Sequence, residues 1–402
     1  MKTWKELPRA ARDLIIYYTI ATMMTPLEFF FNIFMFALGI EVEMVGILYA
    51  FHLLFVMIFS IVFGYFIDIR VSPKYLIMII DSIGIVTWIL TALASSPFHF
   101  LLIYMVEALE IPFFVAYRAL ERDVYPQDKL NIAYKYHMIF PYLSQAIMTL
   151  VYGAMLELNL IIIYRILAIF GAILSLTLVI WVWKRIPPTT NVHLRKSRKL
   201  HLKISRSLLF LAVAEILIIF TFNLAPFFVL DNFLFNIVGV TPLGIALVYS
   251  TGAFLGFLGA VTYGELEEKG SLTRVAIGIL LLSLGALTIY LMNYIKYVVL
   301  IAIIAMVLMY FGNSIWWIEH ESLMMREVPE DVRGTFFGFL RTIRAIIIIP
   351  CPIIAILLIE INPLMPYLLQ ALLMPLMIIF YAISIHYRKS AKSFSPNAKN
   401  IV

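Results

Sequence analysis

Charge is scarce in this chain: 13% of its 402 residues are charged against 63% hydrophobic, and the mean hydropathy is +0.98. That balance excludes an ordinary soluble domain, in which about a quarter of the residues are charged. The single cysteine, Cys351, excludes an intramolecular disulfide and a cysteine-rich metal site. Glutamine is almost as rare, confined to Gln127, Gln145 and Gln370, and this shortage of thermolabile residues leans toward a hot habitat. Signatures of catalysis are missing too: the chain has no His-Glu-x-x-His, no Gly-x-Ser-x-Gly and no paired Asp-rich metal motif in a loop. An enzyme reading would rest on Glu41 and Glu43, which imitate the acidic loop of a lipid-linked glycosyltransferase, but the loops on that side are too short for such chemistry.

What fills the chain is apolar runs of bilayer length. Runs of about 20 residues fall at 14–36, 44–67, 75–95, 98–118, 131–156 and 160–183, then at 207–230, 242–262, 275–292, 297–318, 334–358 and 363–385. They predict an all-α polytopic membrane protein with twelve transmembrane helices in two six-helix bundles. With the N-terminus placed in the cytoplasm, only Arg165 and Lys296 of the 30 Lys and Arg fall on the outer side. The positive-inside rule therefore predicts cytoplasmic termini. It also accounts for the pI near 9.1 without a nucleic-acid partner. The first apolar run follows four basic residues as a signal peptide would, but it continues past Phe36 with no small-residue cleavage site, so it reads as an uncleaved span.

The polar stretch 184–206 holds Lys184, Arg185, Arg195, Lys196, Arg198, Lys199, Lys203 and Arg206 with no acid among them. It divides the chain into a membrane domain at 1–183, a basic linker at 184–206 and a second membrane domain with its tail at 207–402. Pro187 and Pro188 at its start resist helix continuation. Its charges suit anionic headgroups, though a plain connector explains them as well.

The halves echo one another at a regular offset, as an internal duplication would leave them. Pro26 in the first span is answered by Pro226 in the seventh. Gly64 to Asp68 and Arg70 is answered by Gly264 to Glu268 and Lys269. Tyr117-Arg118 through Pro126-Gln127-Asp128-Lys129 is answered by Glu321 through Pro329-Glu330-Asp331-Val332-Arg333-Gly334. These elements resemble the loop signatures of the major facilitator superfamily of secondary transporters. The resemblance extends along the whole chain in topology and over four loops in motif. It implies gating roles for Gly64, Asp68, Arg70, Arg118, Gly264, Glu268, Arg333 and Gly334, with Asp68 set against the start of the eleventh helix. Ile69, Val71, Ser72 and Pro73 interrupt the basic run that the family carries after its aspartate. The fifth span also lacks the Gly-Pro-x-x-Gly-Gly pattern of drug and proton antiporters, having only Pro141 and Gly153.

Ionisable side chains deep in a bilayer face a cavity, pair, or stay neutral. Deep in the spans lie Glu28, Asp81, Glu107, Glu110 and Glu215 as acids and Arg341 and Arg344 as bases. At about 1.5 Å per residue, Glu107, Glu110 and Arg344 lie within about 5 Å of the midplane, and Glu28 and Glu215 lie near that limit. Glu107 and Glu110 share a helical face, where two close carboxylates do not both ionise cheaply. One of them is expected to hold a proton near neutral pH and release it when access changes. The competing reading pairs them with Arg341 and Arg344. Asn32 with Glu28, Asn223 with Glu215, and Asn313 supply further polar positions on the first, seventh and tenth spans. The family resemblance implies that the first, fourth, seventh and tenth helices line a central cavity.

Other polar groups read as structural. Asp81 suggests a pair with a neighbouring base, His52 a packing residue, Arg165 a snorkelling cation, and Trp316 with Trp317 an interfacial aromatic belt. Pro26, Pro112, Pro141, Pro226 and Pro350 are expected to bend their spans. The functional expectation is a monomeric, cofactor-free, metal-free transporter in the cell membrane. It would move a small organic solute by alternating access with protons as coupling ion. A membrane enzyme on a lipid-linked substrate and a non-transporting sensor or scaffold are the alternatives.

Overall fold

A computed structural model of the chain describes residues 4–67, 72–126, 130–187, 205–263, 272–328 and 333–393. All regular structure among them is helical. The first half comprises α1 (Arg9–Ala37), α2 (Val42–Ile67), α3 (Pro73–Leu93), α4 (Pro97–Phe114, continued by Val115–Val124), α5 (Leu130–Leu156) and α6 (Leu160–Arg185). The second comprises α7 (Arg206–Ile237), α8 (Pro242–Tyr263), α9 (Leu272–Leu291), α10 (Val298–Glu327), α11 (Arg333–Ile348 and Cys351–Ile361) and α12 (Met365–Leu373 and Leu376–Ser393). Eleven helices among the described residues are long and apolar enough to cross a bilayer, and the apolar Pro242–Leu258 of α8 supplies the twelfth position. The linker's 188–204 lies outside the described residues.

Sequence dictates how each helix turns. On α6 the exposed residues Ile162, Ile166, Ile169, Ile173, Leu176, Ile180 and Trp183 recur at three- and four-residue spacing, which makes one continuous apolar stripe for lipid. Tyr164, Leu167, Ala168, Gly171, Ser175, Leu178 and Val182 fill the opposite face and are buried. Arg165 Nη2 donates to the Ala94 carbonyl at 2.9 Å and satisfies the carboxyl end of α3, where helix carbonyls lack internal partners.

Proline placement matches most of the breaks. α1 is interrupted next to Pro26, α4 turns 3-10 at Ile111–Phe114 around Pro112, α7 breaks at Pro226 and α11 at Pro350. Pro141 alone stays inside a continuous helix. The duplication reaches further than the loops: Gly39 ends α1 with φ +80° and Gly239 follows α7 with φ +76°. Both occupy the left-handed region that glycine enters without penalty.

Three apolar cores organise the molecule. On the face away from the chain ends one core is shared by both halves, joining Leu27, Phe30 and Phe34 to Phe228, Leu230, Ala302 and Leu364. Toward the face bearing the chain ends it divides. Leu14, Leu120 and Leu178 belong to a core of the first half, and Leu211, Ile279 and Leu340 to a separate core of the second. The halves also touch along α5 and α8, where a Cβ on Gly153 would overlap that of Ala246, a close approach that small residues permit between membrane helices. At the far end of that seam Glu157 Oε1 accepts the Leu243 backbone N–H at 2.8 Å, so a carboxylate just past the end of α5 caps the N-terminus of α8.

Candidate functional site

A cavity of about 470 Å³ opens inside the first half. Residues of α1, α2, α3, α4 and α6 line it, and the second half adds Pro226, Phe227 and Phe228 of α7. It runs from Asn32 and Phe228, next to the shared core, to Tyr17, Asp81 and Tyr117 in the direction of the chain ends. A volume of this size suits a small organic ligand.

Glu28, Glu107 and Glu110 converge on this space from α1 and α4. α1 can present Glu28 because its helix is interrupted before Pro26, and the Glu28 side chain is exposed within the cavity. On α4 the regular helix stops at Ala108 and a turn carries Glu110, whose N–H bonds the Glu107 carbonyl at 2.9 Å. Glu110 is accommodated where α3 has no side chain: a Cβ on Gly84 would lie 3.7 Å from Glu110 Oε1 and 3.4 Å from Ser175 Oγ. Among the described lining residues every charged one is an acid.

The fourth acid is Asp81, and here the structure corrects the sequence reading. No base among the described side chains accompanies it: Tyr17 donates its hydroxyl to Asp81 Oδ1 at 2.9 Å, and Tyr117 stands 3.0 Å from Tyr17. Asp81 Oδ2 has no hydrogen-bond partner although the residue is only 7% exposed. α3, which the family resemblance does not place at the cavity, therefore contributes an acid to it.

Arg344 is also placed differently from expectation. It is ion-paired with Glu215 of α7, not with Glu107 or Glu110, and neither partner is among the described lining residues. His320 Nε2 lies 3.7 Å from Glu215, and His320 Nδ1 is 2.6 Å from the Tyr381 hydroxyl, which also accepts from Trp316 Nε1 at 2.9 Å. Arg274 pairs with Glu319 at 2.8 Å close by. Trp316 is thus a buried member of this cluster, 1% exposed and stacked on His320, while Trp317 is exposed. Packing around a buried pair, not the interface, decides the position of Trp316.

Asn223 donates within its own helix to the Ile219 carbonyl at 2.8 Å, and Asn313 is half-buried on α10. Neither is among the described lining residues. His52 Nδ1 lies 3.2 Å from the Tyr104 carbonyl and its ring stacks on Tyr49, consistent with a packing role. Of the gating positions, Asp68, Arg70, Gly264 and Glu268 lie outside the described residues. Gly64 is helical on α2, Arg118 lies in the last turns of α4, and Arg333 and Gly334 open α11. The side chains of Arg118, Arg333 and Arg341 are outside the described part.

Sequence reasoning passed over Asp231. Asn32 Nδ2 donates to its Oδ2 at 2.7 Å and the Tyr249 hydroxyl to its Oδ1 at 2.5 Å. The buried carboxylate of α7 thereby ties α1 to α8 and bridges the halves beside the shared core. The signal was present as an Asp-Asn step in an apolar run. Ending the seventh span at 230 put it one residue outside, whereas α7 continues through a π-helical turn at Phe233–Ile237.

Comparison with known proteins agrees with this architecture. The family model described as Major Facilitator Superfamily matches residues 14–352. No curated protein sequence matches the chain. Among solved structures, the chain is similar to the POT family transporter PepTSo (TM-score 0.70, 12% identity, covering 96% of this chain and 99% of that one). It is also similar to a mutant of the nucleoside transporter NupG (0.63, 12%, 94% and 99%) and to the human organic anion transporter MFSD10 (0.62, 12%, 93% and 99%). At such identities the likeness shows the fold.

Proposed function

The chain belongs to the major facilitator superfamily and is a transporter, not an enzyme; from that premise we propose that it moves a small organic solute across the cell membrane by alternating access, driven by protons. The observation that carries this reading is the convergence of Glu28, Glu107 and Glu110 on one cavity with no described basic side chain among its walls. Carboxyl groups so placed can take a proton from one side and surrender it to the other as access alternates, which couples solute movement to a proton gradient. Both chain ends lie in the cytoplasm in this reading, because the basic residues gather on that face. The chain works as a monomer, since each single chain supplies both halves.

The division of the cores supports alternation. The halves are joined by apolar packing on the outer face and have separate cores on the inner one, the arrangement of a state closed outward. Asp231 acts as a latch of that state. Asp231→Ala removes the hydrogen bond from Asn32 that crosses the halves, and a charged hydrogen bond is worth about 1.5–3 kcal/mol, so the outward-open population is expected to rise about tenfold. Labelling of Phe228→Cys from the outer side, in a Cys351→Ser background, reads the change. Unaltered labelling would remove Asp231 from the gate.

The test of coupling is a solute screen in proteoliposomes under an imposed pH gradient, inside alkaline or inside acid. Accumulation of at least one solute is expected, and a protonophore is expected to abolish it. Accumulation that persists after the gradient is dissipated would leave a carrier without proton coupling. An intact protein that moves no solute in either direction would fit the sensor reading instead.

A further inference from the structure

We propose that the cavity selects organic cations: amines with at least one protonated nitrogen on an aromatic or aliphatic body. This inference rests on the transporter reading and adds the chemistry of the solute. Glu28, Asp81, Glu107 and Glu110 are the carboxyl groups among its described walls and no described base stands with them, so an anionic solute would find no cation and would oppose whichever carboxyl is ionised, whereas an ammonium group supplies the missing partner. Of the two bases that the sequence offers to an anion, Arg344 is committed to Glu215 in the second half, and the Arg341 side chain lies outside the described part. Asp81 adds an independent sign of a missing ligand. Its Oδ2 is buried at the cavity with no hydrogen-bond partner, and a buried acceptor left unmatched by protein is costly until something donates to it.

The walls suit the rest of such a molecule. Trp88 and Tyr104 line the same space, and aromatic faces attract a desolvated cation while packing an apolar body. A volume of about 470 Å³ is far larger than a bare metal ion needs and fits an organic amine.

The experiment compares three matched probes on each of two skeletons: phenethylamine, 2-phenylethanol and 3-phenylpropanoate, and the corresponding hexyl amine, alcohol and acid. Binding to the purified full chain is read as a shift in thermal unfolding, using a thiol-reactive dye that meets the lone, buried Cys351 only on unfolding. The amines are expected to raise the unfolding temperature and the alcohols and acids to leave it unchanged. Glu28→Gln, at a position already exposed in the cavity, is expected to weaken amine binding about tenfold or more, as loss of a charge-assisted contact does; Asp81→Asn, which keeps an acceptor for Tyr17, is expected to do likewise. Glu43→Gln on the outer face serves as the unchanged control. Equal or stronger binding of the acids or alcohols, or no shift with either amine, would overturn the proposal. Amine binding without gradient-driven flux would uphold it and overturn the proton-coupled reading. Gradient-driven flux of an acid or alcohol without amine binding would do the reverse.

Discussion

The Glu107→Gln, Glu110→Gln double variant is expected to reduce gradient-driven accumulation to the level of protein-free vesicles. Both carboxyls stand on the same wall of the cavity, at the point where α4 leaves regular helix geometry, so either can stand in for the other. Each single variant is therefore expected to retain part of the flux, because the remaining carboxyl still takes up and releases a proton. Glutamine keeps the shape and hydrogen-bonding capacity of the protonated acid but has no proton to exchange. The measurement pairs solute uptake with a pH dye trapped in the vesicles. In the double variant, solute-dependent proton movement should vanish while the thermal unfolding of the protein stays near that of the parent. Proton movement that survives would remove this pair from the coupling step.

Arg344→Ala is expected to destabilise the protein by about 3 kcal/mol, the scale on which an isolated buried charge is left behind when its partner is deleted. Glu215 is 6% exposed, and its Oε2 already has no hydrogen-bond partner. The loss should shrink in acid. A single proton suffices, either on Glu215, which removes the orphaned charge, or on His320, 3.7 Å away, which supplies a substitute cation. Replacing both members of the pair, Glu215→Leu with Arg344→Met, is expected to recover most of the stability, since apolar isosteres replace a buried ion pair at little cost. Thermal unfolding of the three variants between about pH 5.5 and 8, the range in which a histidine titrates, checks all of this. A single variant as stable as the parent at every pH would show that water, not Arg344, compensates Glu215.

Much of the fold was legible because bilayer physics leaves few options. Long apolar runs must be helices, and the basic loops orient them. The convergence of Glu28, Glu107 and Glu110 was legible for a related reason, since acids at depth need somewhere wet to point. Less legible was the rotation of each helix about its own axis. α7 is apolar on nearly every face, so nothing local indicated that Glu215 turns into the second half toward Arg344, or that Asp231 turns toward α1. Asp81 was assigned a basic partner because charge pairs are the common solution; Tyr17 supplies a neutral one, and its hydroxyl reaches Asp81 across 64 positions of sequence. Trp316 shows the same limit: composition suggested an interfacial ring, and the hydroxyl of Tyr381 decides otherwise.

The apolar seal shared by the two halves has an electrical consequence. In the proposed outward-closed state a watery vestibule would sit near the potential of the compartment it joins, so most of the transmembrane voltage would drop across the dry layer to which Phe30, Phe34, Phe228 and Leu230 belong. A charge crossing that layer does work of about 2.3 kcal/mol per 100 mV, whereas one moving within the vestibule does almost none. If access alternates as proposed, the step in which Asp231 parts from Asn32 is the one that a patch electrode is expected to speed or stall.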